Sequence, residues 1–386
     1  MKILHVCLAC FYIDNFSYQE NMLPKYHKKM GYDVEIIAST VSFDEHGDGC
    51  NIEPGIYDNE YRIKVTRLPY KKGLTNKVGK FLRLYEGFKE ALDKAAPDII
   101  FVHGCQFCDI KIIVKYARSH NVKIFVDNHA DFSNSATNWF SKNILHKIIW
   151  KNCAHKIEPF TEKFYGVLPA RVEFLKNIYK LPPEKCELLV MGADDELVKK
   201  AKAAGSSERI RKQYGISDSD FLIITGGKID QWKTQTLLLM EAVRNIKAAN
   251  VRLIVFGSVT NDLADKVKAL ADGIKVQYIG RISSIDTYDY FEAADLVVFP
   301  GRHSVMWEQV TGQGKPMIVK DWAGTHHVDL GGNVHFLHQD SVDEIEREIN
   351  RLLDDPKAFN EMSKVAETSG MQHFSYTVIA RRSLCV

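Results

Sequence analysis

The chain has 386 residues, 45% of them hydrophobic and 26% charged, with a net charge of +2. That length exceeds one ordinary core and suits two α/β domains, and the composition excludes the disordered and fibrous classes. The near balance of charge argues against nucleic acid as a partner. The opening Met1-Lys2-Ile3-Leu4-His5-Val6 runs straight into a strand-like segment without the apolar stretch of a secretory signal. No later run approaches the roughly 20 apolar residues of a membrane span, so a cytoplasmic chain is expected. Eight cysteines in such a chain read as reduced thiols. Cys7-x-x-Cys10 and Cys105-x-x-Cys108 share the spacing of zinc ligands, but Cys7 alternates with strand neighbours, and the pairs are read as core with no metal.

Residues 3–8 read as a strand, 18–30 as a helix stopping at Gly31, and 33–39 as the next strand, which completes a βαβ unit. Strands follow at 61–68, 97–103 and 122–126, with helices at 77–94, 110–120 and 139–150. These make one domain over 1–192. Residues 194–213, rich in Lys and Ala, read as a helical bridge near the hinge. Strands at 221–225, 252–256, 275–279, 296–300 and 317–319 alternate with helices at 234–247, 260–271, 283–293 and 307–312. Helical signals resume at 342–353 and beyond Pro356. A second Rossmann-like domain over 193–370 is therefore expected, with 371–386 as a C-terminal helix returning to the first domain.

Two segments combine basic and aromatic residues. Between Arg67 and Lys94 eight basic residues face three acids, with Phe81, Tyr85 and Phe88 interleaved; the second runs from Trp139 to Lys151. They are solvated helix faces or surfaces for an anionic membrane, which would make the protein peripheral to the inner face of the cell membrane.

Ligands of open α/β sheets bind beyond the carboxyl ends of strands. After the second domain's first strand stands Thr225-Gly226-Gly227-Lys228-Ile229-Asp230-Gln231-Trp232-Lys233. Glycines permit close backbone approach, a helix start favours anions, and two lysines add charge, which describes a diphosphate site. The alternative is a glycine turn with solvated lysines. Asp218-Ser219-Asp220 has the form of a metal-binding D-x-D but precedes a strand, so it is read as a turn.

The run from Gly226 to Lys233, then Val255-Phe256-Gly257, Tyr278-Ile279-Gly280-Arg281, Ala294 to Pro300 and Gly314-Lys315-Pro316 resembles glycosyltransferase family four. The resemblance implies a GT-B fold, α/β with two Rossmann-like doubly wound domains facing a central cleft. It implies a nucleotide-sugar donor, a glycan or lipid-linked acceptor, retention of configuration, no covalent nucleophile, no cofactor and no metal. It maps Lys228 and Lys233 onto the pair that grips the diphosphate and places Arg281 and Ile282 beside the nucleobase. The first domain resembles the family more loosely, through Pro97 to His103 and the helix ending at Gly31.

The family's Glu-x7-Glu is absent. Pro300-Gly301-Arg302-His303-Ser304-Val305-Met306-Trp307-Glu308-Gln309 stands there, with Glu308 or Gln309 near the second glutamate's place. Glu308 is then expected on the ribose hydroxyls, with His303, Ser304, Val305 and Gln309 around the donor. In the first domain Asp127-Asn128-His129-Ala130-Asp131 follows a strand. His129 is expected at the reacting face and His103 and Asp131 on the acceptor side; either histidine is otherwise a hydrogen-bonded loop residue. Two other readings remain: a nucleotide-sugar 2-epimerase, and an inactive GT-B scaffold that lost the first glutamate. A nicotinamide oxidoreductase is weaker, since no G-x-G-x-x-G opens a helix after a first strand.

Overall fold

The computed structural model describes residues 1–43, 49–72 and 76–386, and of Asn76 and Lys77 the backbone alone. The chain divides into two compact units, Met1–Val190 with Ile379–Val386, and Met191–Val378.

The strands of the first unit are β1 (Lys2–Cys7), β2 (Asp33–Ser39), β3 (Val41–Phe43), β4 (Gly49–Asn51), β5 (Gly55–Asp58), β6 (Lys64–Leu68), β7 (Ile99–His103), β8 (Lys123–Asn128), β9 (Thr161–Gly166) and β10 (Cys186–Leu188). Eight of them form a sheet in the order β10-β9-β8-β7-β1-β2-β6-β5. It is parallel throughout except where β5 runs against β6. A parallel sheet covered on both faces needs apolar residues at successive positions, and β7 meets this with Ile-Ile-Phe-Val-His, every residue buried. On one face Leu4, Val6, Ile100, Val102, Ile124 and Val126 share a core, where each such side chain contributes about 1.5–3 kcal/mol. Strand order reverses at the β1/β7 pair, so ligands are sought beyond their carboxyl ends.

The second unit holds β11 (Phe221–Gly226), β12 (Val251–Phe256), β13 (Val276–Tyr278), β14 (Leu296–Phe299), β15 (Met317–Lys320) and β16 (Val334–Leu337). Their order, β13-β12-β11-β14-β15-β16, is parallel at every pair, the 3-2-1-4-5-6 order of a dinucleotide-binding Rossmann sheet. Its switch point lies between β11 and β14.

Several expected elements differ. The helix expected at 77–94 is two, Asn76–Leu82 and Phe88–Ala95, separated by Arg83 at φ 52° and Gly87 at φ 74°. Long-range bonds override local propensity there. The Tyr85 amide donates to Asp109 Oδ2 at 2.7 Å, its hydroxyl donates to the Leu8 carbonyl at 2.6 Å, and the Leu84 carbonyl accepts from Lys71. The helix expected at 139–150 is a π-helix, Ser141–Trp150. The bridge at 194–213 is broken by Gly205 at φ 60° into Asp195–Ala203 and Ser206–Gln213.

The return to the first unit begins at Ile379 rather than at residue 371, because the helix Pro356–Phe374 lies too close to the helix Met306–Gly312 to leave it. A Cβ on Gly370 would stand 2.0 Å from the Thr311 carbonyl oxygen. Asp218-Ser219-Asp220 lies in a turn before β11, where the Ser217 amide donates to Asp220 Oδ2 at 2.7 Å. Cys7 and Cys105 are buried, and all eight cysteines are free thiols.

Candidate functional site

The second unit's switch point gathers the glycine loop after β11 and the segment after β14. Glycine is required where the two β-α loops touch. A Cβ on Gly226 would stand 2.1 Å from the Phe256 ring, and one on Gly257, at φ +134°, would stand 1.9 Å from the Gly227 carbonyl oxygen. Gly227, itself at φ +125°, has as its nearest neighbours the Met306 methyl and the Lys233 ammonium, 3.6 and 4.0 Å from where a Cβ would stand. Gly257→Ala is expected to destabilise the second unit by more than about 1 kcal/mol and to weaken nucleotide binding. Thermal melting with and without ligand checks both, and an unchanged melting temperature contradicts the crowding argument.

Lys233 is half-buried, and Lys228 stands exposed. Burial pulls the Lys233 ammonium below its usual range and Arg302 pulls it further, against Asp230. Among the described residues Lys233 forms no ion pair. The Arg302 guanidinium lies 4.9 Å from the centre of the Trp232 ring, within cation–π range. The one sequence signal for Arg302 is its place three residues beyond the end of β14. At the carboxyl end of β13 the Gly280 carbonyl accepts from the Gly257 amide at 2.8 Å, which sets Arg281 and Ile282 beside the same loop.

Glu308 departs from expectation. Its side chain is fully buried, and one oxygen, Oε1, is met at 2.8 Å by Nε2 of both His303 and His327, while Oε2 has no partner. Burial alone would raise this carboxyl; the two imidazoles outweigh it and hold it at about 2. Glu308, expected on the ribose hydroxyls, is instead enclosed behind His303, whose ring is partly exposed. Gln309 also turns inward, its amide donating to Thr287 Oγ1 at 2.9 Å and to Gln313 Oε1 at 3.2 Å. The cause is the packing of Met306–Gly312, where a Cβ on Gly312 would come within 2.6 Å of Ala193. Ser304 and Val305 are half-buried just before this helix, the Ser304 carbonyl accepting from the Trp307 amide at 2.9 Å. His327 carried no sequence signal, since it lies 19 residues from Glu308 in a different loop.

In the first unit the structure strings together histidines from three elements. His27 Nδ1 lies 3.0 Å from His5 Nε2, His5 Nδ1 lies 3.0 Å from His103 Nε2, and His103 Nδ1 lies 2.7 Å from Asp127 Oδ2. At the far end His27 Nε2 is 2.9 Å from Ser383 Oγ and 3.2 Å from the Ala380 carbonyl. The chain of bonds is satisfied in either direction. With neutral rings each Nδ1–H donates toward Asp127 and the Ser383 hydroxyl donates to His27. With one added proton on His103 the Nε2–H groups donate the other way and end on the Ala380 carbonyl. Burial lowers His103, but Asp127 more than compensates and raises it to about 9; burial holds His27 at about 3 and His5 well below its usual range.

His103, expected on the acceptor side, is thus fully buried inside this relay, because it is the last residue of a strand covered on both faces. His129 lies 3.3 Å from Asp127 Oδ2 and 3.8 Å from Glu20 Oε1, an ion-pair contact rather than an aligned hydrogen bond, and a quarter of its ring is exposed. Burial lowers it, and Glu20 and Asp127 raise it above the usual range. Asp131 does not orient it: its carboxylate accepts from the Ser133 amide at 2.6 Å and pairs with Arg171 at 3.2 Å. Asp127 holds that place instead. In both His–carboxylate–His groups the ligand-type atoms lie within 4.8 Å of one another, close enough to hold a metal ion. A separate 770 Å³ concavity in the first unit, lined by Lys71, Lys111 and His120 among others, includes none of these residues.

The glycine loop, Lys233 and Arg302 all fall within one segment that known proteins share. Residues 220–355 match the family model described as glycosyl transferases group 1. No curated protein matches the sequence. Among solved structures, a glycosyltransferase from Rickettsia africae ESF-5 is similar at a TM-score of 0.66 and 14% identity, covering 99% of this chain and 96% of that one. Alr3699/HepE from Anabaena, in complex with UDP, is similar at 0.67 and 16%, over 99% and 98%. A UDP-GlcNAc 2-epimerase from Neisseria meningitidis, bound to UDP-GlcNAc, is similar at 0.65 and 13%, over all of both chains. The likeness is one of fold, and the fold is GT-B: α/β with two Rossmann-like sheets.

Proposed function

We propose that the protein is a glycosyltransferase that moves a sugar from a nucleotide-sugar donor to a hydroxyl of a glycan or lipid-linked acceptor. The observation that carries this is the half-buried Lys233, which pairs with no carboxylate among the described residues, beside the glycine backbone at Gly227, with Arg302 next to it, at a Rossmann switch point. Two fixed cations and a glycine loop match a diphosphate leaving group, and charge fixed in advance is the main requirement of such a reaction.

In the transfer the bond from the anomeric carbon to the diphosphate oxygen breaks, the acceptor oxygen forms the new bond, and the acceptor proton departs. Lys233 and Arg302 hold the charge that develops on the diphosphate, with Lys228 adding to the field and Arg281 and Ile282 flanking the base. His303, fixed from behind by Glu308, faces the donor with Ser304 and Val305. His129, held by Asp127, lines the reacting face of the first unit. Retention, a hexosyl donor and metal independence follow from the resemblance to glycosyltransferase family four and, with the cytoplasmic setting expected from the sequence, belong to this proposal.

The likeness to a UDP-GlcNAc 2-epimerase keeps a second reading open, and the two differ in product: free nucleotide plus glycoside against an epimerised nucleotide sugar. A panel of UDP-, GDP- and ADP-linked sugars with EDTA present tests the proposal. One nucleotide series is expected to raise the melting temperature and to release free nucleotide when acceptor is added. Stabilisation with epimerised sugar supports the second reading. No response to any of them supports an inactive scaffold.

A further inference from the structure

Residues 61–85 and 132–157 contain no Asp or Glu. The fold brings these two acid-free segments together: the rings of Phe81, on the helix Asn76–Leu82, and Phe140, beside the π-helix Ser141–Trp150, lie 6.1 Å apart. Around that contact large apolar side chains face solvent, with Trp139 71% exposed, Ile148 57%, Val78 51% and Phe140 48%. Lys72, Lys80, Lys142 and Lys147 are exposed among them, and among the described residues none of the four pairs with a carboxylate. Exposed lysines elsewhere do pair, as Lys89 does with Asp93.

We propose that this face of the first unit seats on an anionic lipid bilayer, the aromatic rings entering the headgroup layer and the lysines meeting lipid phosphates. Tryptophan and phenylalanine at the edge of a basic surface suit an interface that is apolar on one side and wet on the other. A second copy of the chain is a poor occupant, because a two-fold contact would set this single-sign surface against itself. Single-stranded nucleic acid would use the rings and the charge but leaves Val78 and Ile148 without a partner, since bases stack on rings. The inference stands apart from the donor reading, as bilayer binding requires no nucleotide sugar.

The test is flotation of the full chain with vesicles of phosphatidylcholine alone and of phosphatidylcholine mixed with phosphatidylglycerol. Binding is expected with the mixed vesicles only, weakening as salt is raised. Lys80→Glu with Lys142→Glu is expected to lower partitioning by at least about tenfold. Trp139→Ala with Phe140→Ala is expected to lower it as well and to abolish the blue shift of tryptophan emission on binding. All four side chains are exposed, so each variant should melt at the wild-type temperature, which separates lost binding from lost fold. Absent binding to mixed vesicles, binding unchanged in both variants, preference for a single-stranded oligonucleotide, or self-association that the variants abolish would each overturn the proposal.

Discussion

Lys233→Ala is expected to lower turnover of the nucleotide-sugar donor by about 30- to 1000-fold, the loss of about 2–4 kcal/mol of transition-state stabilisation that follows removal of one preorganised charge contact. The folded state should scarcely change. Lys233 is a partly desolvated cation beside a second cation, Arg302, with Asp230 as its main opposing charge. Removing a repelled, partly buried charge relieves the fold, so the melting temperature should hold or rise slightly. The same arrangement becomes favourable only when an anion enters at Gly227. Activity should therefore fall while stability does not, and the stabilising effect of nucleoside diphosphate on melting should shrink with it. Steady-state kinetics with the responsive donor and melting curves with and without nucleotide measure both. Wild-type turnover in the variant removes Lys233 from the mechanism.

Stability of the first unit is expected to peak near pH 6.5 and to fall on both sides, for reasons lodged in the histidine relay. An unperturbed histidine titrates near 6.5. His103, raised to about 9 by Asp127, lends stability that is complete below about 6.5 and disappears as pH climbs through 9. His27, lowered to about 3 by burial, and His5, also lowered, act in the opposite sense. Their contribution is present above about 6.5 and is lost as pH falls toward about 3, a loss that starts before carboxylates begin to protonate.

Each pKa unit of difference between folded and unfolded chain is worth about 1.4 kcal/mol, so both limbs should be visible in urea midpoints taken across pH. His27→Phe should lower stability at neutral pH by about 1–3 kcal/mol, because His5 Nε2 is left buried without a partner. It should also make the acid limb shallower while leaving the alkaline limb in place. A midpoint that is flat from acid to alkaline pH would mean that the relay does not titrate as its geometry requires.

Much of the fold was legible because it rests on local pattern. Runs such as Ile99-Ile100-Phe101-Val102 and Leu296-Val297-Val298-Phe299 are apolar at consecutive positions and rich in β-branched and aromatic residues, which suits a doubly covered parallel strand. The glycine loop was legible for a similar reason, since Gly226 and Gly257 stand where no side chain fits. The departures from local pattern are equally specific. Residues 77–94 carry a good helical pattern, yet Tyr85 leaves the helix to bond Asp109 and Leu8 from other segments. His103 stands at the end of a strand and Glu308 at the start of a helix, places open to an acceptor and a ribose, but His103 is enclosed by His5 and Asp127, and Glu308 by the neighbouring His303 and by His327 from another loop.

By itself, the amino-acid sequence determined the alternation of strands and helices, the two Rossmann-like units and the loop after β11, because apolar periodicity and glycine placement act over a few neighbouring residues. The tertiary structure alone decided which polar groups are buried and what they touch. His5, His27, His103 and Asp127 in one unit, and His303, Glu308 and His327 in the other, meet only when separate elements pack. Whether a buried charge is tolerated depends on that meeting, since an unpaired one is expelled by desolvation and a paired one is held.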